Sequence, residues 1–353
     1  MSLAPVTARR ERIVEFDYLR GLAIGVIVLG HSIFLAQPLF PALLENLLRG
    51  GTGLFVFISG FFFHRVFAAR FDYRDFVAKK TKALLIPFVF ISLLALLIRA
   101  FGWWQDGLPW QQNLLNVWYT LRNGYVLYPH WYIPFILLTF CCAPLHMRFL
   151  QLHCRWQLLL LLAFSVVALF LHRPQSNNNF LQSLVYYTPF YLLGMLVSQY
   201  YARVHQWRGL LLLGSVLVVV VTALSQTYLW GHLGNYHKAA FSYEGLDLQF
   251  VQVLFACIAL LLLCYHLHWR WLQQHLAWLA ELSFPIFFIH PLLTIALENL
   301  VQTEAFKPFL PAANIQLSLA IFVATFVVQF YGSVVIAVVL RHTLGSDSKW
   351  LIG

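Results

Sequence analysis

An acid, an arginine and a histidine share one apolar stretch, Asp17-Tyr-Leu-Arg-Gly-Leu-Ala-Ile-Gly-Val-Ile-Val-Leu-Gly-His31. Read as a helix, it places Arg20 and His31 roughly 16 Å apart along the axis at 1.5 Å rise per residue. Eleven residues at 100° each make about three full turns, so both side chains leave nearly one face. In a membrane helix this sets a fixed cation near one interface and a titratable base near mid-bilayer. Ionisable groups at that depth normally face a bundle interior or a water-filled cavity. A neutral imidazole there can act as a general base. A snorkelling arginine, together with a histidine bonded to a neighbouring helix, explains the same spacing without chemistry.

Two further histidines belong to the same inventory. His290 lies in Leu282-Ser-Phe-Pro-Ile-Phe-Phe-Ile-His-Pro291, where Pro285 and Pro291 are expected to distort a helix and free carbonyls. His130 precedes Trp131 and Pro134. A basic run from Arg65 to Lys82 is the kind of segment that cytoplasmic loops collect and anionic lipids contact. It also suits docking of a phosphorylated donor. No His-x3-His or acid–His spacing argues for a metal. Cys141, Cys142, Cys154, Cys257 and Cys264 lie in or beside apolar segments without CxxC spacing and read as packed small hydrophobes.

The elements that must position these groups are membrane helices. The 353 residues are 61% hydrophobic and 10% charged, with a mean hydropathy of +0.73, far from the roughly 25% charged residues of a soluble domain. The apolar runs are continuous, which excludes the alternating ten-residue segments of a membrane barrel. Spans are expected at 19–37, 50–68, 84–104, 131–147, 156–172, 184–201, 209–230, 248–267, 278–300 and 315–341. This makes an all-α polytopic bundle of about ten helices over 19–341, between an N-terminal segment 1–18 and a tail 342–353. The first span reads as retained, not as a cleaved signal peptide.

Arg9, Arg10, Arg12, Arg65, Arg70, Arg74, Lys79, Lys80, Lys82, Arg148, Arg155, Arg203, Arg208, Arg270, Arg341 and Lys349 fall on one side of this topology. The other side holds Arg49, Arg122, Arg173, Lys238 and Lys307, with Arg99 near a helix end. The asymmetry places both termini in the cytoplasm and accounts for the formal charge of +10 without nucleic acid. The outer stretches 101–131 and 228–247 are aromatic-rich. They read as an interfacial belt or as a platform for sugar rings, with Asn, Asp and His bonding hydroxyls. Glycines such as Gly21, Gly25, Gly50, Gly51 and Gly53 suit close helix packing.

Five elements, in order, resemble the integral-membrane acyltransferase-3 family. Phe16-Asp-Tyr-Leu-Arg-Gly-Leu-Ala23, with His31 following Arg20 after ten residues, resembles its opening motif. Gly53-Leu-Phe-Val-Phe-Ile-Ser-Gly60 is similar to its second-helix motif, with Val56 at an aromatic position. His130-Trp-Tyr-Ile-Pro134 and Tyr187-Thr-Pro-Phe-Tyr-Leu-Leu-Gly-Met195 resemble its middle elements. Leu279-Ala-Glu-Leu-Ser-Phe-Pro-Ile-Phe-Phe-Ile-His290 resembles its late signature. Lys79, Lys80 and Lys82 stand where the family has an arginine pair. Ala280 replaces a glycine, and Phe284 and Phe287 replace tyrosines.

The resemblance implies a membrane enzyme that moves an acyl group, most often acetyl, from acyl-CoA in the cytoplasm to a hydroxyl of a carbohydrate or lipid-linked glycan, in a bacterial inner membrane. His31 would be the base, with Arg20, partnered by Asp17, orienting the donor. Lys79, Lys80, Lys82 and Ser59 would assist donor binding, and Ser283 or Ser59 would meet the carbonyl or acceptor. His290, His130 and Trp131 would line or support the acceptor path. Acetyl-CoA is expected as donor substrate and membrane lipids as surroundings, with no metal. A secondary transporter or flippase also needs buried polar groups, and a non-catalytic scaffold would tolerate changes at Arg20 and His31.

Overall fold

The computed structural model describes residues 13–235, 237–301 and 314–353; Arg9, Arg10, Arg12 and Lys307 lie outside the described residues. Its helices in chain order are α1 (Val14–Ser32), α2 (Ala42–Leu48), α3 (Gly51–Phe62), α4 (Tyr73–Gln105), α5 (Trp110–Arg122), α6 (Tyr132–Cys141), α7 (Ala143–Gln151), α8 (Cys154–Leu171), α9 (Phe180–Gln199), α10 (Tyr201–Gln206), α11 (Arg208–Leu224), α12 (Leu248–Tyr265), α13 (Arg270–Glu281), α14 (Ser283–Val301), α15 (Ile315–Leu344) and α16 (Ser348–Leu351). Among the described residues nine helical segments are long and apolar enough to cross a membrane, or ten when the bent pair from Tyr128 to Gln151 is one span. The protein is an integral membrane protein, and each of the ten expected spans has its counterpart.

The differences have local causes. The fourth span bends by 53° between α6 and α7, where Pro144 occupies the first turn of α7 and cannot continue the preceding hydrogen-bond ladder. The ninth span is two elements. α13 stops at Glu281, and α14 starts at Ser283 with Pro285 in its first turn, where a missing N–H costs nothing. Pro285 therefore begins a helix instead of kinking one, and only Pro291 is interior. α1 begins at Val14, within the expected N-terminal segment, and α4 begins at Tyr73, so Lys79, Lys80 and Lys82 ride on a helix and not in a loop. The aromatic stretch after α4 contains α5, which has no buried residue and exposes Trp110 and Trp118, as an interfacial helix does.

α9 is the centre of the bundle. Of its most apolar window 67% is buried, against 11% for α8, which therefore presents its face to lipid. α3 packs along α9, α1 against α13, α3 and α15, and α14 against α15. Lys79, Lys80, Lys82 and Arg341 mark one end as the basic one, where Lys82 Nζ lies 4.6 Å over the Trp350 ring and Arg341 donates to the Glu281 carbonyl at 2.9 Å. The opposite end is closed by a two-residue parallel pairing of Arg173–Pro174 with His237–Lys238.

Candidate active site

α1 carries the centre of the site because its second turn and its last turn meet different partners. Near the basic end Arg20 Nε donates to the Ala280 carbonyl at 3.0 Å, and Ser283 Oγ donates to the same oxygen at 2.8 Å. That carbonyl belongs to the last turn of α13, where the helix leaves acceptors unsatisfied and favours a cation. Arg20 and Ser283, expected in separate roles, thus converge on the break between α13 and α14. Asp17 is half-buried one turn earlier on α1 and is not part of either chamber wall described below.

Three turns along, His31 meets His290. His31 Nδ1 and His290 Nε2 are 3.0 Å apart, with the rings stacked at 5.2 Å and 9°. The direction of this bond follows from the next one. His290 Nδ1 lies 2.9 Å from the Ile286 carbonyl, which can only accept, so Nδ1 carries the hydrogen. His290 Nε2 is then a lone pair and receives the Nδ1–H of His31, which leaves His31 Nε2 as the basic atom; this tautomer is assigned from the hydrogen-bond network. α1, α14 and α15 are tied together beside the pair. Ser32 Oγ–H reaches the Val28 carbonyl and Gln329 Oε1 at 2.7 Å each, Gln329 Nε2 donates to Thr294 at 2.8 Å, and Thr294 donates to the His290 carbonyl at 3.1 Å. The Tyr128 ring meets His31 edge-on at 4.6 Å.

Two cavities lie along α1. An inner chamber of about 260 Å³ runs from Lys80 and Arg20 past Ser59 and Ser283, with mostly aromatic walls. An outer chamber of about 510 Å³ contains His31, Trp131, Gln37, Glu45, Arg49, Thr52, Arg173, Asn235 and His237. Ile27 and Tyr132 line both. Ile27 is one turn from His31, about 6 Å along the helix, so a group reaching this shared wall from the inner side comes within a turn of the base.

The three lysines separate. Lys80 lines the inner chamber with Nζ 4.9 Å over the Phe67 ring, Lys79 pairs with Asp75 at 2.8 Å on the surface, and Lys82 caps Trp350. His130 is fully buried but faces Ser92, Phe88, Phe287 and Phe288, outside both chamber walls. Trp131 lines the outer chamber. Among the described residues no three His, Cys, Asp or Glu side chains cluster as a metal site requires.

Sequence reasoning missed much of the outer wall. Glu45, 2% exposed, is ion-paired with Arg49 and accepts from Gln37 at 2.7 Å. The i,i+4 spacing of Glu45 and Arg49 inside an apolar run was the available signal. Behind the wall, Asp247 caps α12 through the Phe250 N–H at 3.0 Å and accepts from Tyr186 at 3.0 Å and from Asn235.

Burial pushes the Asp247 carboxyl up to about 6, against those hydrogen bonds and the nearby Arg173, which favour the charged form. A raised acid stabilises the fold fully below its unfolded value near 4, and this contribution is lost as pH rises through about 6. Two pH units correspond to about 3 kcal/mol. Asp247→Asn keeps a capping side chain but cannot titrate, so its melting temperature should change less than the wild type's between about pH 4 and pH 7. Parallel pH profiles for the two proteins would refute this.

A family model described as an acyltransferase domain matches residues 13–338, nearly the whole chain. No curated protein and no solved structure matches it. The match spans every helix that builds the two chambers and the histidine pair, and on it the chain belongs to the acyltransferase-3 family, membrane proteins of acyl transfer.

Proposed function

We propose that the protein transfers an acyl group, acetyl in the first instance, from acyl-CoA to a carbohydrate hydroxyl, with His31 as general base. The observation that carries this reading is that the two chambers share Ile27 and Tyr132 as a common wall, with Ile27 one turn from His31. The donor enters at the basic end, its phosphates near Lys80 and its thioester arm in the aromatic chamber. The acceptor occupies the polar outer chamber, and a bacterial inner membrane would put CoA and an exported glycan on these two sides.

The acceptor oxygen attacks the thioester carbonyl while its proton passes to His31 Nε2. The imidazolium so formed keeps its Nδ1–H on His290 Nε2, which the Ile286 carbonyl holds in the accepting tautomer. Tyr132 and Ser59 are the hydroxyls near the shared wall that can donate to the developing oxyanion. Collapse breaks the C–S bond, and the departing thiolate takes the proton from His31. Arg20 acts through the Ala280 carbonyl, holding α13 and α14 so that His290 faces His31.

The test is release of free thiol from acetyl-CoA by the purified protein, dependent on a glycan acceptor that gains the acetyl group. Movement of a substrate across the membrane with no thiol release would replace this reading by a transporter. The lysines give a sharper prediction. Removing a charge-assisted contact costs about 1.5–3 kcal/mol, so Lys80→Gln should raise the KM for acetyl-CoA about tenfold or more. Lys79→Gln, which loses only an exposed pair, should stay within about twofold. Equal effects of the two changes would place the phosphates elsewhere.

A further inference from the structure

Arg173 stands on the outer chamber wall as a cation that the acyl-transfer chemistry leaves unused. Its guanidinium lies 5.2 Å over the Trp131 ring, with Nη1 on Asn235 Oδ1 at 3.3 Å and Nη2 on Asn177 Oδ1 at 2.9 Å. Both partners are neutral amide oxygens, and Nε, buried, has no partner. An arginine offers five N–H donors in a planar fork, so most of this fork is uncommitted. Among the described residues no carboxylate lies at ion-pair distance from it. Glu45, the one acid on the chamber wall, is occupied by Arg49 and Gln37. Asp247 feels the Arg173 charge without pairing with it, is joined to it by hydrogen bonds only through Asn235, and already accepts from Phe250, Tyr186 and Asn235.

The backbone that delivers Arg173 is strained. His172 is fully buried and has φ 60° with ψ 178°, a combination that residues carrying a Cβ rarely adopt, and it is held there by Nε2–H donation to the Gly245 carbonyl at 2.7 Å. Arg173 and Pro174 then pair with His237 and Lys238, which fixes the direction of the turn. Strain of this kind persists only where surrounding structure over-determines it, and it concentrates at binding sites. Here its product is a half-buried guanidinium clamped flat on an indole, facing the cavity that contains His31.

We propose that the acceptor is acidic, and that its carboxylate or phosphate seats on the free N–H donors of Arg173 while a hydroxyl of the same molecule faces His31. A fork on a planar anion supplies bidentate bonds that fix orientation as well as affinity, which a neutral sugar cannot return. The anion also neutralises a chamber wall that holds two arginines against one carboxylate. The inference rests on the outer chamber being the acceptor site. A cavity of about 510 Å³ lies within the roughly 300–1,000 Å³ of small-molecule sites.

The experiment is binding to the full chain in detergent, followed by the fluorescence of its tryptophans or by calorimetry. The probes are methyl β-D-glucuronide, glucose 1-phosphate and, as neutral control, methyl β-D-glucoside. The wild type should bind at least one acidic probe about tenfold or more tighter than the neutral one, and which acidic probe wins separates a sugar carboxylate from a phosphate. Arg173→Gln should abolish that preference, and Arg173→Lys, which keeps the charge without the fork, should keep part of it. Equal binding of all three probes, no binding of any, or a preference that survives Arg173→Gln overturns the proposal. Thiol release from acetyl-CoA is measured in parallel. Release without anion preference removes the acidic acceptor and leaves acyl transfer standing, whereas an Arg173-dependent anion site without release removes acyl transfer and leaves the site.

Discussion

His31→Ala is expected to lower acyl transfer about 10²–10⁴-fold, the range that a positioned general base contributes, while acetyl-CoA binding stays within about twofold of the wild type. The two halves of this result come from different parts of the structure. His31 Nε2 is the atom left without a hydrogen by the chain from the Ile286 carbonyl through His290. His31 belongs to the outer chamber wall and not to the inner one, so a donor arm seated in the inner chamber, as proposed, would not lean on it. The bundle should tolerate the change, because Ser32, Gln329 and Thr294 hold α1, α14 and α15 together without the imidazole. Single-turnover thiol release with acceptor present, beside a donor titration, separates the chemical step from binding. Turnover within about tenfold of the wild type, in a protein with unchanged thermal stability, would remove His31 as the base.

What the sequence made legible follows from what a membrane demands. A chain crossing hydrocarbon must bond its own backbone over about twenty residues, so apolar length alone located the ten spans. Interruptions were harder, because a break at Leu282 or Cys142 leaves hydropathy unchanged while redirecting every side chain after it. The Arg20–His31 stretch was legible as one helix, and α1 runs unbroken through both residues. That Arg20 ends on a carbonyl of α13, 260 residues away, is a tertiary fact with no local trace. The lysines show the same limit. Lys79 and Lys80 differ by one residue, hence by 100° around α4, and that rotation decides between a surface ion pair and a chamber wall. The outer chamber was least visible, since Gln37, Glu45, Arg173, Asn235 and His237 come from separate elements, and only folding assembles them.

Gly194→Ala is expected to be among the most damaging single methyl additions the bundle can receive. A Cβ at Gly194 would lie 2.0 Å from the Phe57 carbonyl oxygen and 2.8 Å from the Phe61 nitrogen, and one at Gly60 would lie 2.1 Å from the Tyr191 carbonyl oxygen. α3 and α9 therefore interlock glycine against backbone in both directions, the close approach that small residues permit in membranes. No flexible side chain is available to yield, so the helices themselves must part. Overpacking of a tight core costs about 1–3 kcal/mol and occasionally more, and contact with backbone at this distance puts Gly194→Ala at the upper end or beyond. The separation would also shift Ser59, which neighbours Gly60 on the inner chamber, so acyl transfer should fall with stability. Gly25 is the internal control: a Cβ there meets nothing within 4 Å, and replacing a helical glycine by alanine removes a cost of about 1 kcal/mol. Thermal unfolding in detergent should thus show a marked loss for Gly194→Ala and none for Gly25→Ala. Equal melting temperatures for the two would mean that the α3–α9 contact is looser than its backbone distances require, and that Gly60 and Gly194 serve something other than packing.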